Sequence, residues 1–222
     1  YCGRLGKTDN CQVAVSLSLA TAQGSVPLAY RLYLPQAWAE DPQRRAAAGV
    51  PAVIEFCTKG ELARGQIEAA LATGIPQGVV LADAAYGDEA DLRQWLSARN
   101  LDYVLAVRAA TSVWWDRHQP AKVSPSTHGR PRTRLKRDAR HQPISVLDLA
   151  RSLPAQRWRT VIWRAGTNGA LSSRFARVRV RAAQGNRARP EEWLLIEWPA
   201  AEARPSHYWL STLPESMPCK QL

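Results

Sequence analysis

An apolar run that ends in a single carboxylate is the feature that most constrains this fold. The run from Val79 to Leu81 leads to Asp83, and a turn follows at Gly87. Continuous apolar residues bounded by turn signals are typical of a strand buried on both faces. Asp83 is then expected at the carboxyl edge of a sheet, where ligands and metals collect in open α/β folds. The alternative is helix capping, in which Asp83 accepts hydrogen bonds from the amides of a helix at 88–98.

The first half of the chain alternates short strands with amphipathic helices. Apolar spacing and turn residues predict these elements, and the first two strands are expected to pair antiparallel. They are strands at 11–20 and 26–34, a helix at 61–73, the strand that carries Asp83, a helix at 88–98 and a strand at 103–107. The helix at 88–98 is expected to place Leu92, Trp95 and Leu96 on one face. The resulting order is β-β-α-β-α-β.

The second half is dominated by strands. The predicted elements are a short helix at 145–153 and strands at 157–164, 174–181, 193–198 and 207–212. Val178 and Val180 alternate with Arg177, Arg179 and Arg181. This period of two predicts a half-buried antiparallel strand with one basic face.

Positive charge is concentrated in the middle of the chain. The formal net charge is +11, and eight basic residues between Arg117 and Pro143 stand against the single acid Asp138. Four prolines interrupt this stretch, so we interpret 109–144 as a basic Pro/Arg-rich linker. Lys and Arg neutralise phosphates and release counterions, which favours DNA as the partner. The linker residues predicted to bind DNA are Arg130, Arg132, Arg134, Lys136 and Arg137.

Two short motifs leave alternatives open. The sequence GRPR at 129–132 resembles an arm that enters the minor groove of A·T-rich DNA. Simple phosphate attraction is the favoured interpretation, and a solvated loop without a partner is the third. Trp114 and Trp115 are either core residues at the end of a strand or a stacking platform for bases. Packing is the favoured interpretation for the two tryptophans.

Cysteine usage and hydropathy indicate a protein of a reducing, aqueous compartment. The four cysteines lack the paired spacing of a zinc site, so we expect them to be reduced and structural. No apolar run approaches the roughly 18 residues that a membrane helix needs, and the first residues lack the pattern of a signal peptide. We therefore expect a cytoplasmic protein with no membrane partner.

Seven motifs spread over the chain carry a family resemblance. They are YCGRLGKTDNCQV at 1–13, RLYLP at 31–35, TKGEL at 58–62, ADAAYG at 82–87, LSSRF at 171–175, EWLLIEWP at 192–199 and YWLSTLP at 208–214. No single motif is diagnostic. In this order and spacing they resemble one branch of the bacterial insertion-sequence transposases of the DDE superfamily.

The resemblance implies a fold, a chemistry and partners. It implies an RNase H-like mixed sheet with flanking helices, followed by a β-rich insertion. Asp83, in the Asp-x-x-Tyr motif, would be the second acid of the Asp-Asp-Glu triad, which holds two Mg²⁺ or Mn²⁺ ions. The implied partners are DNA, as transposon ends and target, and a second protomer in a homodimer on DNA. Lys59 and Arg174 would contact phosphates.

The same comparison leaves two triad members unassigned. In the family the first Asp precedes the YCG motif and the Glu follows the Leu-Pro segment, so we expect a truncated, inactive internal fragment that lacks the first strand and the last catalytic helix. Substitutes within the chain are Asp9, Glu191, Glu192, Glu197 and Glu202. Asp9 is more typical of a turn. Glu197 is expected to face solvent or to pair with an arginine.

We predict three segments and two competing functions. The segments are a partial catalytic core at 1–108, the linker at 109–144 and a β-rich insertion segment at 145–222. The first function is DNA transposition, a DNA recombination reaction with metal-dependent cleavage and strand transfer, in the nucleoid of a bacterial cytoplasm. The alternative is a non-catalytic DNA-binding remnant. A third function, an unrelated small-molecule enzyme, is not supported, because the sequence shows no Ser-His-Asp, Cys-His or Gly-rich constellation.

Overall fold

The chain folds into two compact units in its computed structural model. The units are Tyr1–Gln77 and Gly78–Leu222. The structure describes residues 6–7, 11–116, 118–120, 140–166, 169–184 and 189–218. Within these ranges, none of the helices has the length and apolar character that a transmembrane span requires.

The described residues of the first unit form a β-hairpin and three helices. Strands β1 (Val13–Ala20) and β2 (Ser25–Tyr33) pair antiparallel, which confirms the predicted pair. The turn between them is closed by a hydrogen bond of 2.8 Å from the Thr21 amide to the Gly24 carbonyl. The helices are α1 (Gln36–Ala39), α2 (Pro42–Ala47) and α3 (Lys59–Ala72).

Helix α3 begins at a capping box and packs on β1. The Thr58 hydroxyl accepts a hydrogen bond from the Glu61 amide at 3.2 Å, and the Glu61 carboxylate accepts one from the Thr58 amide at 2.7 Å. These bonds lower the pKa of Glu61. On the buried side, the Gln66 amide group donates to the Val15 carbonyl at 2.9 Å. Helix α3 ends before Gly74, whose φ of +85° suits glycine, and the helix predicted at 61–73 is confirmed.

The second unit is built on an eight-stranded sheet. The strand order is β3-β4-β10-β9-β8-β5-β6, and β7 pairs with β8. Among the described strands only the β3–β4 pair is parallel, so the sheet is mixed. The strands are β3 (Val80–Ala82), β4 (Tyr103–Ala106), β5 (Ser112–Trp114), β6 (Ile144–Ser145), β7 (Arg159–Gly166), β8 (Gly169–Ala182), β9 (Glu192–Glu197) and β10 (His207–Ser211). The predicted strands of the second half are thereby confirmed.

Three helices accompany this sheet. They are α4 (Ala84–Gly87), α5 (Ala90–Ala98) and α6 (Val146–Ser152). One face of the sheet forms the core with them, and its side chains are fully buried at Leu105, Leu194, Ile196 and Leu210. The alternation on β8 is as predicted, since Val178 is 3% exposed between two partly exposed arginines. The mixed α/β architecture is compatible with an RNase H-like fold. Whether a further strand and helix complete that fold stays a prediction.

The strand that leads to Asp83 differs from the prediction. Strand β3 was expected to be buried on both faces, but it lies at an edge of the sheet and pairs with β4 alone among the described strands. Leu81 is 69% exposed and Val79 is 45% exposed. An apolar run alone does not distinguish a central strand from an edge strand, because both require apolar side chains on the face that is packed.

The β-rich second half continues the sheet of the first. Strand β10 pairs with β4, so strands on both sides of the predicted linker share one sheet. Strand β5 and the first residue of β6 lie within the range predicted as linker. The three-segment division at 108 and 144 stays a prediction. Trp114 on β5 is 1% exposed, which confirms the packing interpretation for that residue.

Candidate functional site

Asp83 follows β3 and caps the single turn of α4. Its backbone is extended, with φ −76° and ψ −179°, and its Oδ1 accepts a hydrogen bond from the Ala85 amide at 2.9 Å. The capping role is therefore confirmed, but the capped helix is α4 and not the helix expected at 88–98. The carboxylate is exposed, and among the described residues it has no other hydrogen bond or ion pair. Asp83 thus presents an oxygen ligand at the carboxyl end of β3.

The turn after Asp83 is fixed by close packing at Gly87. A Cβ at this position would lie 1.8 Å from the Ala106 carbonyl oxygen, so only glycine allows α4 to approach β4 this closely. Tyr86, one residue earlier, is half-buried. Burial, and then the negative charges of Asp83 and Glu89, raise the pKa of Tyr86, which keeps its hydroxyl protonated near neutral pH.

A second acid close to this turn is already committed to structural contacts. The Asp88 carboxylate accepts hydrogen bonds from the Thr111 hydroxyl at 2.8 Å and from the Arg108 amide at 3.3 Å. The Arg108 guanidinium also pairs with it at 3.3 Å. Asp88 therefore ties the start of α5 to the loop after β4.

Buried polar groups link α5 to the far strands of the sheet. Arg93 is 4% exposed and donates to the Gly87 carbonyl and to the side-chain oxygen of Gln184. Gln184 in turn donates to the Asp88 carbonyl at 3.1 Å. Sequence reasoning missed this network because Arg93 and Gln184 are 91 positions apart, and no local pattern connects them.

The acids considered as substitutes for missing triad members have other partners. Glu192 is 6% exposed and accepts a hydrogen bond from the Tyr103 hydroxyl at 2.8 Å. Burial raises its pKa, although the charge of Arg93 opposes the shift. Glu197 contacts His207 at 2.9 Å. The expectation of solvent or an arginine partner for Glu197 is therefore wrong.

The remaining acids do not complete a metal site in the described part of the chain. Glu191 lies 3.6 Å from Arg181 and 3.9 Å from Arg179, and Glu202 is exposed. Asp9 lies outside the described residues. Within the ranges that the structure describes, no three His, Cys, Asp or Glu side chains form a group suited to a metal ion. Asp83 therefore offers the type of ligand that a divalent metal prefers. The described residues do not offer enough such ligands to hold one.

The predicted DNA-binding residues lie in three separate parts of the chain. Lys59 lies at the start of α3 in the first unit, with its ammonium 5.3 Å from the centre of the Tyr33 ring. Arg174 lies in the second unit, where its Nε donates to the Trp198 carbonyl at 3.2 Å and its guanidinium stacks over the Trp198 ring. The linker residues Arg130, Arg132, Arg134, Lys136 and Arg137 lie outside the described residues.

Comparison with known proteins assigns the family. The sequence model of a family described as DDE superfamily endonuclease matches residues 1–170, which is most of the chain. A probable transposase for insertion sequence element IS701 from Microchaete diplosiphon is 33% identical over 110 residues. That alignment covers 49% of this chain and 26% of the relative, so the chain matches about a quarter of the relative's length. Because the family model matches most of its length, this chain belongs to the DDE superfamily endonucleases.

Proposed function

We propose that this chain is part of a transposase that cleaves and rejoins DNA at the ends of an insertion sequence, with Asp83 as a catalytic metal ligand. The observation that carries the proposal is the exposed Asp83 carboxylate at the carboxyl end of β3, within the segment that matches the endonuclease family. Functional groups are concentrated at this edge in α/β sheets because the loops there are free of packing constraints.

The ligand chemistry of Asp83 suits Mg²⁺ or Mn²⁺. Both are hard cations that prefer carboxylate oxygens, and Mg²⁺ is commonly held by one or two carboxylates and substrate phosphates. Capping engages Oδ1 through the Ala85 amide and leaves the second oxygen without a partner among the described residues. A two-ion site needs more carboxylates than this one.

DNA is the proposed partner because of charge. The net charge of +11 favours phosphate contacts that depend on salt and little on sequence. We assign such contacts to Lys59, to Arg174 and to the five basic residues at 130–137. The Arg174 guanidinium is partly engaged by Trp198, so it would contribute through its remaining N–H groups. Pairing of two transposon ends would bring two protomers together on DNA.

The alternative function is DNA binding without cleavage. One observation favours this alternative. Within the described ranges, Asp83 is not grouped with two further acidic, His or Cys side chains that could complete a metal site. A protein with the same basic surface and an incomplete metal site would bind DNA and leave it uncut. The two functions therefore differ in metal-dependent nicking and agree in binding.

Nicking of supercoiled DNA by the purified chain separates the two functions. The wild type, Asp83→Asn and a matched control, Asp91→Asn on the exposed start of α5, are incubated with plasmid and either Mg²⁺, Mn²⁺ or EDTA. A catalytic Asp83 predicts metal-dependent nicking that falls at least about a hundredfold in Asp83→Asn and persists in Asp91→Asn. Binding to a labelled duplex is measured in parallel.

Each outcome selects one interpretation. Nicking that survives in Asp83→Asn would overturn the assignment of Asp83. Salt-sensitive binding without nicking in any variant would support the alternative, a DNA-binding protein without cleavage activity. Absence of both binding and nicking in a folded chain would contradict both functions.

A further inference from the structure

A basic cleft lies on the second unit, lined by residues other than those that the sequence predicts to contact DNA. Its volume is about 550 Å³. The cleft opens between the short 3₁₀ turn Ala155–Arg157, strand β7 and strand β8. The residues that line it are Gln156, Arg157, Arg159, Phe175, Arg177, Trp193 and Pro218. We call it the arginine cleft.

Among the described residues, none neutralises the charge of the arginine cleft. Three of the described lining residues are arginines and none of them is acidic. Arg157 and Arg159 are exposed, and within the described part of the chain their guanidinium groups form no ion pair or hydrogen bond. The Arg177 side chain donates only to a backbone carbonyl, that of Met217. By contrast, Arg179 and Arg181 on the same face of β8 pair with Glu191.

The sheet register explains why these arginines converge. Arg159 on β7 lies directly opposite Phe175 on β8, and side chains of such a pair project from the same face. Arg177 follows Phe175 by two positions and so projects from that face as well. The side chains of Arg159, Phe175 and Arg177 therefore project from one face of the sheet.

One aromatic residue that lines the cleft is not a free stacking surface. Trp193 is 7% exposed, and the guanidinium carbons of Arg177 and Arg179 lie 4.7 Å and 4.9 Å from its ring centre. A base cannot stack on a ring that is already covered by these groups. The groups left to contact a ligand are the N–H donors of Arg157, Arg159 and Arg177, whose planar forks match phosphate oxygens.

We propose that the arginine cleft binds the phosphodiester backbone of DNA, with Arg157 and Arg159 each contacting a phosphate. The inference deepens the proposed function and rests on it, since DNA is the polyanion that this function requires. Contact through guanidinium groups alone predicts binding that is independent of base sequence. The cleft is a DNA contact distinct from the residues expected at 130–137 and from Arg174.

The test compares salt dependence of DNA binding in charge-matched variants of the full chain. Binding of a labelled duplex of about 20 base pairs is measured by fluorescence anisotropy between about 50 and 300 mM NaCl, a range over which phosphate contacts change affinity strongly. The cleft variant is Arg157→Ala with Arg159→Ala. The control is Arg151→Ala with Arg204→Ala, two exposed arginines outside the cleft lining. A third variant, Arg157→Lys with Arg159→Lys, keeps the charge and the fold.

The expected result is specific to the cleft. Loss of two phosphate contacts makes the slope of log K against log salt shallower by roughly 2, since each contact contributes about 0.9, and lowers affinity on the order of tenfold at about 150 mM salt. The control keeps the wild-type slope. The lysine variant keeps the slope and loses affinity modestly, because an ammonium lacks the bidentate fork.

The outcomes that overturn this inference differ from those that overturn the proposed function. Salt-sensitive DNA binding in the wild type, with equal slopes in the cleft variant and the control, would exclude the cleft and leave the proposed function intact. No DNA binding by the folded wild type would remove both. Displacement of DNA by polyglutamate as effectively as by unlabelled duplex would also contradict the inference, because the cleft would then accept any polyanion.

Discussion

Gly87 determines how Asp83 is presented. The carboxylate sits at the start of a single helical turn, and that turn lies against β4 because glycine has no Cβ. The Gly87 carbonyl is also bound by the buried Arg93 guanidinium. Buried neighbours, Gly87 and Arg93, therefore determine the position of the backbone that follows Asp83.

Gly87→Ala is expected to destabilise the fold. The added Cβ would meet the Ala106 carbonyl oxygen at 1.8 Å, and a backbone atom cannot rotate away. We expect a loss of about 3 kcal/mol in the free energy of unfolding, at the upper end of overpacking effects. Urea unfolding followed by tryptophan fluorescence measures it. Gly78→Ala is the control, because no atom lies within 4 Å of the Cβ it would add. Equal stability of the two variants would refute the close contact.

Glu192 predicts a pH dependence of stability. Its pKa is raised above the ordinary value of 4.5 by burial, so the protonated form is favoured in the folded state. The stability that the Glu192 carboxyl contributes is fully present below its ordinary pKa. This stability is lost as the pH rises through the raised pKa of the folded state. Glu192→Gln removes this loss. Its stability relative to wild type should therefore increase from about pH 4 to about pH 8, by about 1.4 kcal/mol for each unit of elevation.

Urea unfolding at several pH values checks this prediction. Glu215→Gln, at an exposed position, controls for the loss of one negative charge. In Glu192→Gln the carboxamide oxygen of the new side chain can still accept a hydrogen bond from the Tyr103 hydroxyl, so this contact need not be lost. A stability difference between Glu192→Gln and wild type that stays constant with pH would show that the carboxyl titrates normally.

At the scale of elements, the strands of the second unit are not equivalent. Strand β9 lies between β8 and β10, and its Leu194 and Ile196 side chains are 0% exposed. In the described part of the chain, strand β3 has a partner on one side only, and its Leu81 side chain is 69% exposed. An edge strand with exposed apolar residues is open to a further strand or to aggregation. Strand β3, which leads to Asp83, is thus less protected than strand β9.

Hydrogen exchange should show this difference directly. The Val80 amide points to β4, where it donates to the Asp102 carbonyl at 2.8 Å, so the next amide along β3 points away from the sheet. We expect the Leu81 amide to exchange at least about a thousandfold faster than the Ile196 amide. Exchange measured by NMR at neutral pH provides the comparison. Similar protection of the two amides would mean that another segment covers the β3 edge.

At the scale of the whole molecule, charge and fold make separate contributions. The net charge of +11 favours a polyanionic partner whatever the arrangement of the strands. The sheet then decides which cations are available, since Arg179 and Arg181 are paired with Glu191, whereas Arg157 and Arg159 have no such partner among the described residues. The salt-slope experiment is therefore a test of tertiary arrangement and not only of composition.

Much of the fold was predictable because its signals are local. The β1–β2 pair, helix α3 with its capping residue Thr58, and the alternation on β8 each follow from neighbouring residues. The edge position of β3 was not predictable, because it depends on which strands are present beside it. The pairing of β10 with β4 was missed for the same reason, since the two strands are about a hundred residues apart.

The sequence by itself determined the family, the basic character and the identity of Asp83 as the carboxylate after an apolar strand. These properties reside in motif order, composition and local periodicity. Tertiary structure alone decided the edge position of β3, the burial of Glu192 against Tyr103, and the convergence of arginines from two strands. The physical reason is that burial, pKa and ion pairing depend on residues distant in the chain, and no local pattern specifies those neighbours.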